Sequence, residues 1–287
     1  MDARGYGING DHYRLDPEEI GQFEREGYLV LRGFLREEEI APIEEIFDRF
    51  MRGEFEGMGR DFCDMSGPYG RRFEDFNIVN AVLPRTREPK LCGNVFERRA
   101  ASVARQLIGD DATLDYDQFL GKRPQRTGAV FAWHQDLGYW PTGTPDTRTT
   151  TCSLALDDAT LAHGCLEVVP GSHREASLRP HRPLLQSSAG SREEAHTLTI
   201  DLAGSDRRQP LEVQRGDITV HNERIIHGSG GNATDDWRRT YVVAHRSRAT
   251  VAWERSIGFT HSHNDEVHWE TYLDALTRAE PGGEGNR

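Results

Sequence analysis

Ala129-Val130-Phe131-Ala132-Trp133-His134-Gln135-Asp136-Leu137 is the stretch on which the fold and the chemistry both turn. It is a short apolar run that ends in His-x-Asp. In an extended chain residues i and i+2 face the same side, so His134 and Asp136 can approach one metal ion together. Taken alone, His-x-Asp is equally common as a pair in a surface loop. His227 changes the balance. It follows Ile225-Ile226 just after the apolar run Ile218–His221 and would close the set from a neighbouring strand. Two histidines and one carboxylate hold one face of a non-haem Fe(II) octahedron and leave the other positions open for a co-substrate and O2.

Outward from that stretch the pattern is β. Short apolar runs occur at Thr113–Leu120, Ala129–His134, Thr149–Leu156, Cys165–Pro170, Leu211–Val213, Asp217–Asn222 and Thr240–His245, separated by Gly, Pro, Asp and Ser clusters. Many short strands with turn signals predict an antiparallel sandwich or barrel. Upstream the period becomes helical. Asp16-Pro17-Glu18-Glu19 is a capped helix start, and Gly27 ends that helix before the strand Tyr28-Leu29-Val30-Leu31. Arg36 to Met51 carries an apolar face of Ile40, Ile43, Ile46, Phe47 and Phe50, and a third helix is expected from Asn94 to Leu107. The polar segment Leu178 to Arg208 is expected to be a long insertion between strands that lines or covers a site. The layout is thus one domain over residues 1–278, with a helical part at 15–110 and a β core at about 113–250. A disordered tail is expected at 279–287.

Composition excludes several classes. A formal net charge of -12 argues against nucleic acid as a partner, because phosphates require a basic surface. The same charge favours a neutral or cationic substrate. No apolar run approaches the length of a membrane span, and the mean hydropathy is -0.69. The N-terminus has no apolar signal segment. Cys63, Cys92, Cys152 and Cys165 are scattered without a CxxC, which fits reduced thiols in a cytoplasmic enzyme. Only Lys90 and Lys122 among 35 basic residues are lysines, a bias of GC-rich coding that points to a bacterial source. Oligomeric state is not legible.

His227 is followed by Ser229 and, eleven residues on, by Arg238. An oxygenase that uses 2-oxoglutarate needs a fixed cation for the far carboxylate, and the planar fork of arginine suits it. Ser229 would complete that contact. Strand alternation should send one of Arg238 and Arg239 inward and the other outward.

These residues sit in four ordered blocks. They are His134-Gln135-Asp136-Leu137-Gly138-Tyr139-Trp140-Pro141; Gly164-Cys165-Leu166-Glu167-Val168-Val169-Pro170-Gly171-Ser172-His173; Arg215-Gly216-Asp217 through His227-Gly228-Ser229-Gly230; and Trp237-Arg238-Arg239. Together they resemble the phytanoyl-CoA dioxygenase family of Fe(II)/2-oxoglutarate oxygenases, from roughly Leu15 to His245. The resemblance implies a mainly β, α+β protein with a double-stranded β-helix (jelly-roll, cupin-like) core and flanking helices. It implies Fe(II), 2-oxoglutarate and O2 as cofactor and co-substrates, with His134, Asp136 and His227 as metal ligands. Arg238 and Ser229 match the residues that hold the 2-oxoglutarate carboxylate. Gln118 falls where some members place a co-substrate contact, and Trp140 where some place an aromatic near the substrate.

The implied reaction is hydroxylation of an unactivated C–H bond of a small molecule in bacterial natural-product metabolism, with release of succinate and CO2. Cyclisation, desaturation and epimerisation are alternative outcomes of the same oxidant. A non-catalytic cupin-like binding protein is the alternative from another class, and it would predict a broken ligand set or a missing arginine. Related halogenases lose the carboxylate ligand; Asp136 is retained, which disfavours halogenation. Pocket candidates from the sequence are Trp140, Tyr139, Phe62, Asp64, Glu223 and Arg224. His173, His221 and His245 are read as structural hydrogen-bonders. His261 and His263 form another His-x-His pair, but it is read as lacking an accompanying carboxylate or third ligand, so no second metal is expected.

Overall fold

The computed structural model describes residues 5–184 and 197–267. Its framework is a seven-stranded antiparallel sheet facing a four-stranded one. In the larger sheet the strand order is Tyr28–Leu31, Ile218–His221, Thr149–Ala155, Arg238–Ser247, Ala112–Lys122, Ile78–Val82 and Phe62–Asp64. In the smaller it is Gln209–Leu211, Leu166–Val168, His227–Ser229 and Phe131–His134. Non-consecutive neighbours in both sheets produce the jelly-roll winding of a double-stranded β-helix.

Alternation along the large sheet divides its labour. Phe119, Cys152, Leu154, Ile218, Val220, Tyr241 and Val243 point to one face and form a single core with the helices Glu37–Met51 and Val95–Ile108. The intervening residues, among them Gln118, Thr151, Ser153, Thr219, Thr240 and Val242, line a cavity between the two sheets. Register makes this consistent across strands, because Val242 lies opposite both Gln118 and Ser153, and Thr219 opposite Ser153. One face supplies stability through apolar burial, and the other can therefore be polar.

Local chemistry explains the helical ends. Asp16 caps Pro17–Glu26 by accepting from Glu18 N and Glu19 N, and Gly27 stops the helix at φ 81°. Asn94 caps Val95–Ile108. The helix-stop glycine leads directly into Tyr28–Leu31, which forms the edge of the large sheet against Ile218–His221.

Several expectations shift. Phe62–Asp64 and Ile78–Val82 are strands that extend the large sheet into the region read as helical. Ile78–Val82 is buried at every position, so it shows no alternation to read. The helix Arg248–Ser256 follows the last strand without a sequence forecast, capped by Ser247. Strand Gln209–Leu211 starts two residues earlier than expected, and Val213 makes only an isolated bridge with Ala159. Within the expected insertion, Arg182–Pro183 pairs with Leu198–Thr199. The tail at 279–287 lies outside the described residues. Among the described residues no helix is long and apolar enough to cross a membrane.

Gly164 sits at φ 70°, where a Cβ would collide with the carbonyl oxygen of Gly230. Its own carbonyl accepts from the buried Lys122 ammonium at 3.2 Å. Gly164→Ala should lower stability by roughly 1–3 kcal/mol through forced left-handed backbone and the clash, read as a drop in the urea midpoint at unchanged slope.

Candidate active site

His227 and His134 are direct cross-strand partners in the small sheet. Their rings lie 4.2 Å apart between centroids. Asp136 follows in a short turn, Asp136–Tyr139, and returns its carboxylate to the same side. Its Oδ1 is 3.2 Å from His134 Nε2 and 3.4 Å from His227 Nε2. Gln135 between them points the other way, as alternation requires. Its amide nitrogen donates to Arg224 O at 2.6 Å, and its side-chain oxygen accepts from Arg179 N at 2.9 Å. This fully buried clamp fixes the turn that presents His134 and Asp136.

The histidine tautomers follow from the backbone. His134 Nδ1–H donates to Ala132 O at 2.7 Å, and His227 Nδ1–H donates to Ile225 O at 3.0 Å. With Nδ1 committed, each Nε2 keeps its lone pair for a metal. The donor atoms of His134, Asp136 and His227 lie within 4.8 Å of one another, so they could hold one ion. Burial alone would raise the Asp136 pKa, but His227, His134 and His221 hold it well below the usual carboxylate range. The carboxylate is therefore ready as an anionic ligand.

His221, read from sequence as a structural residue, lies beside this group. Its Nε2–H donates to Asp136 Oδ2 at 3.1 Å, so it orients the carboxylate from behind. The signal for this role was its place at the end of Ile218–His221, facing the cavity, but nothing local separated it from other strand histidines.

A cationic end lies across the cavity. Arg238 and Arg239 split as alternation predicts. Arg239 turns outward to Asp157, Asp48 and Glu44. Arg238 turns inward, is buried, and forms no ion pair with any described residue; its Nε has no hydrogen-bond partner. Burial lowers its pKa to about 10, so it remains a cation at neutral pH. Lys122 lies directly opposite it in register. The Lys122 ammonium donates to Ser229 Oγ at 2.6 Å and to the Gly230 carbonyl. Burial, reinforced by the Arg238 charge, drives its pKa well below the usual lysine range. A buried guanidinium without a counter-ion is costly, and its geometry suits a carboxylate brought in by a ligand. Lys122 was noted in the sequence only as a rare lysine.

Of the other candidates, Gln118 lines the cavity and donates from Nε2 to Asn80 Oδ1 at 2.6 Å. Trp140 and Tyr139 line it too, and the Tyr139 ring meets the His134 ring edge-on at 5.8 Å. Phe62, Asp64, Glu223 and Arg224 do not reach it. Phe62 packs against Phe73 and Phe76. Asp64 accepts from Ser66, Asn77 and Ile78. Glu223 is buried between Thr151 and Arg246, and Arg224 donates to the carbonyls of His173 and Glu175. His261, in turn, does have carboxylate neighbours, Asp115 and Glu254, which the chain brings from afar. Arg246 and Arg255 already pair with those carboxylates.

The phytanoyl-CoA dioxygenase family model matches residues 23–240, which include His134, Asp136, His221, His227, Ser229, Lys122 and Arg238. The chain belongs to the phytanoyl-CoA dioxygenase family. Its reaction class is that of the Fe(II)- and 2-oxoglutarate-dependent dioxygenases, and the donor set fits that iron. An ectoine dioxygenase from Stutzerimonas stutzeri is 27% identical over 271 residues, covering 88% of this chain and 84% of the relative. Among solved structures, EvdO2 from Micromonospora carbonacea is 26% identical with a TM-score of 0.64, covering 81% of this chain and 91% of the other. EctD from S. alaskensis, solved with 2-oxoglutarate and 5-hydroxyectoine, has a TM-score of 0.64 at 19% identity, covering 86% and 80%. At that identity the likeness speaks to the fold.

Replacing His221 by Phe keeps the ring volume and removes the hydrogen bond to Asp136. Fe(II) affinity should fall about ten- to hundredfold, as for other partners that orient metal ligands. Anaerobic titration of Fe(II) into wild-type and His221→Phe protein measures it.

Proposed function

We propose that this dioxygenase hydroxylates an unactivated C–H bond of a small molecule in bacterial secondary metabolism. The supporting observation is a single cavity that carries, on one side, two Nε2 lone pairs and a carboxylate and, on the other, an unpaired buried arginine. In this reading His134, Asp136 and His227 hold Fe(II). Arg238 takes the far carboxylate of 2-oxoglutarate in a two-pronged hydrogen bond. Ser229, oriented by Lys122, adds a hydroxyl beside it, and Gln118 borders the same space. With iron and 2-oxoglutarate bound, the centre couples decarboxylation of 2-oxoglutarate to succinate and CO2 with oxidation of the substrate by O2. The chain's part is to fix the ligands, neutralise the co-substrate and orient the substrate C–H bond while keeping water out.

The cavity, of about 230 Å3, suits a small substrate. Tyr139 and Trp140 would form its aromatic wall near the metal. A relative named ectoine dioxygenase also supports a small-molecule substrate.

Succinate formation from 2-oxoglutarate tests the assignment. His134→Ala or Asp136→Ala should abolish it with Fe(II) in excess, and wild-type turnover in either variant would overturn the ligand set. Arg238→Ala should instead raise the KM for 2-oxoglutarate by about a hundredfold or more, as loss of a charge-assisted pair implies, while Fe(II) still binds. Incorporation of one atom from labelled O2 into the product tests hydroxylation. An oxidised product without that atom would replace it by cyclisation, desaturation or epimerisation.

A further inference from the structure

The cavity wall beyond the metal carries a charge pattern opposite to that of the whole protein. Asp115, Glu223 and Glu254 are fully or almost fully buried and cluster with Arg246, Arg255 and His261. Three carboxylates thus meet two guanidinium groups and the His261 ring. The orientation of this cluster is asymmetric. Arg246 and His261 line the cavity, whereas none of the three carboxylates does. Asp136 is the only acidic residue among the described residues that line it. A chain of net charge -12 therefore turns a guanidinium and an imidazole, and no carboxylate, to this part of its cavity.

Two donors on that face are unsatisfied. Arg246 lies 3.7 Å over the Trp140 ring, and its Nε is buried without a partner. The indole Nε1–H of Trp140 is buried without a partner as well. His261 Nε2 lies 2.8 Å from Asp115 Oδ2 and also meets the Arg246 guanidinium, while its Nδ1 makes no hydrogen bond to any described residue. Burial works against a charge on this ring, but the Asp115 carboxylate outweighs it and raises the His261 pKa. The ring is fixed by stacking on Tyr116 at 4.5 Å. Its backbone sits at φ 68°, in the left-handed region that few residues other than glycine adopt. Orphaned buried donors gathered on one wall call for an acceptor supplied by a ligand.

We propose that the wall formed by Trp140, Arg246 and His261 binds an anionic oxygen group of the substrate, such as a carboxylate, with His261 as the residue that determines this specificity. This rests on the dioxygenase reading and names the chemical class of its substrate. Nothing in the motifs pointed there. The net charge pointed the other way, because the acidic residues lie on the protein surface and behind the wall. A substrate ammonium at this position would meet the buried Arg246 guanidinium and two N–H donors rather than acceptors.

Two probes that share one ring separate the alternatives. 4-Hydroxyphenylacetate carries a carboxylate where tyramine carries an ammonium. Each is titrated calorimetrically into the Fe(II)- and 2-oxoglutarate-loaded enzyme without O2. The visible charge-transfer band of that complex, recorded first on the wild-type enzyme, reports the iron and co-substrate site independently. The acid should bind at least about tenfold more tightly than the amine, the effect of one charge-assisted contact. His261→Gln should erase most of that preference. Trp140→Phe keeps the ring under Arg246, removes only the N–H, and should reduce it about threefold, on the scale of one hydrogen bond; it carries the test if His261→Gln does not fold. An intact band with equal binding, preference for tyramine, or binding of neither probe overturns the proposal. So does an undiminished preference in both variants. A missing band overturns the dioxygenase reading itself.

Discussion

The pairing of His227 with His134 across the small sheet is the constraint on which the site depends. Antiparallel register puts the two rings side by side, and each ring is locked by donating Nδ1–H to a carbonyl two residues earlier in its own chain. Both therefore present Nε2 to the same point without any contribution from distant side chains. Asp136 needs only the turn after the strand to join them. A one-residue slip in this register would turn one histidine to the other face. The small sheet is thus pinned by Val168, paired with His227 on its far side, and by the Gln135 clamp at the strand end.

The large sheet solves a different problem. It must carry a buried cation, Arg238, that pairs with no described carboxylate, and unpaired buried charge is destabilising. Its outer face offsets this by packing Phe119, Tyr241, Cys152 and Leu154 against two amphipathic helices in one continuous core. The inner face is then free to hold Arg238 and Lys122, and Arg246 with its partners Asp115 and Glu223. Under the two proposals together, anion recognition falls at both ends of the cavity, with Arg238 at one and Arg246 with His261 at the other. The metal-ligating group lies on the opposing sheet.

Local pattern made much of this legible. The i, i+2 spacing of His134 and Asp136, the inward and outward split of Arg238 and Arg239, and the capped helix at Asp16 each express a rule that acts over a few residues. What the sequence hid were contacts between residues far apart in the chain. His221 meets Asp136 across 85 positions, and Lys122 meets Ser229 across 107. His261 meets Asp115 across 146, a separation that no local pattern announces. Glu223 and Arg224 fail as pocket residues for a related reason. They flank His227 in sequence, but the turn that delivers His227 directs Glu223 to Arg246 and Arg224 to the backbone of residues 173–175. Ile78–Val82 escaped detection because burial on both faces leaves no period to detect.

The most direct measurement of the central claim is a crystal structure of the protein grown with Fe(II) and 2-oxoglutarate in the absence of O2. The account predicts one metal ion bound by His134 Nε2, the Asp136 carboxylate and His227 Nε2, with the far carboxylate of 2-oxoglutarate on the Arg238 guanidinium. A metal seated instead at Asp115, Glu254 and His261, or 2-oxoglutarate bound away from Arg238, would contradict it.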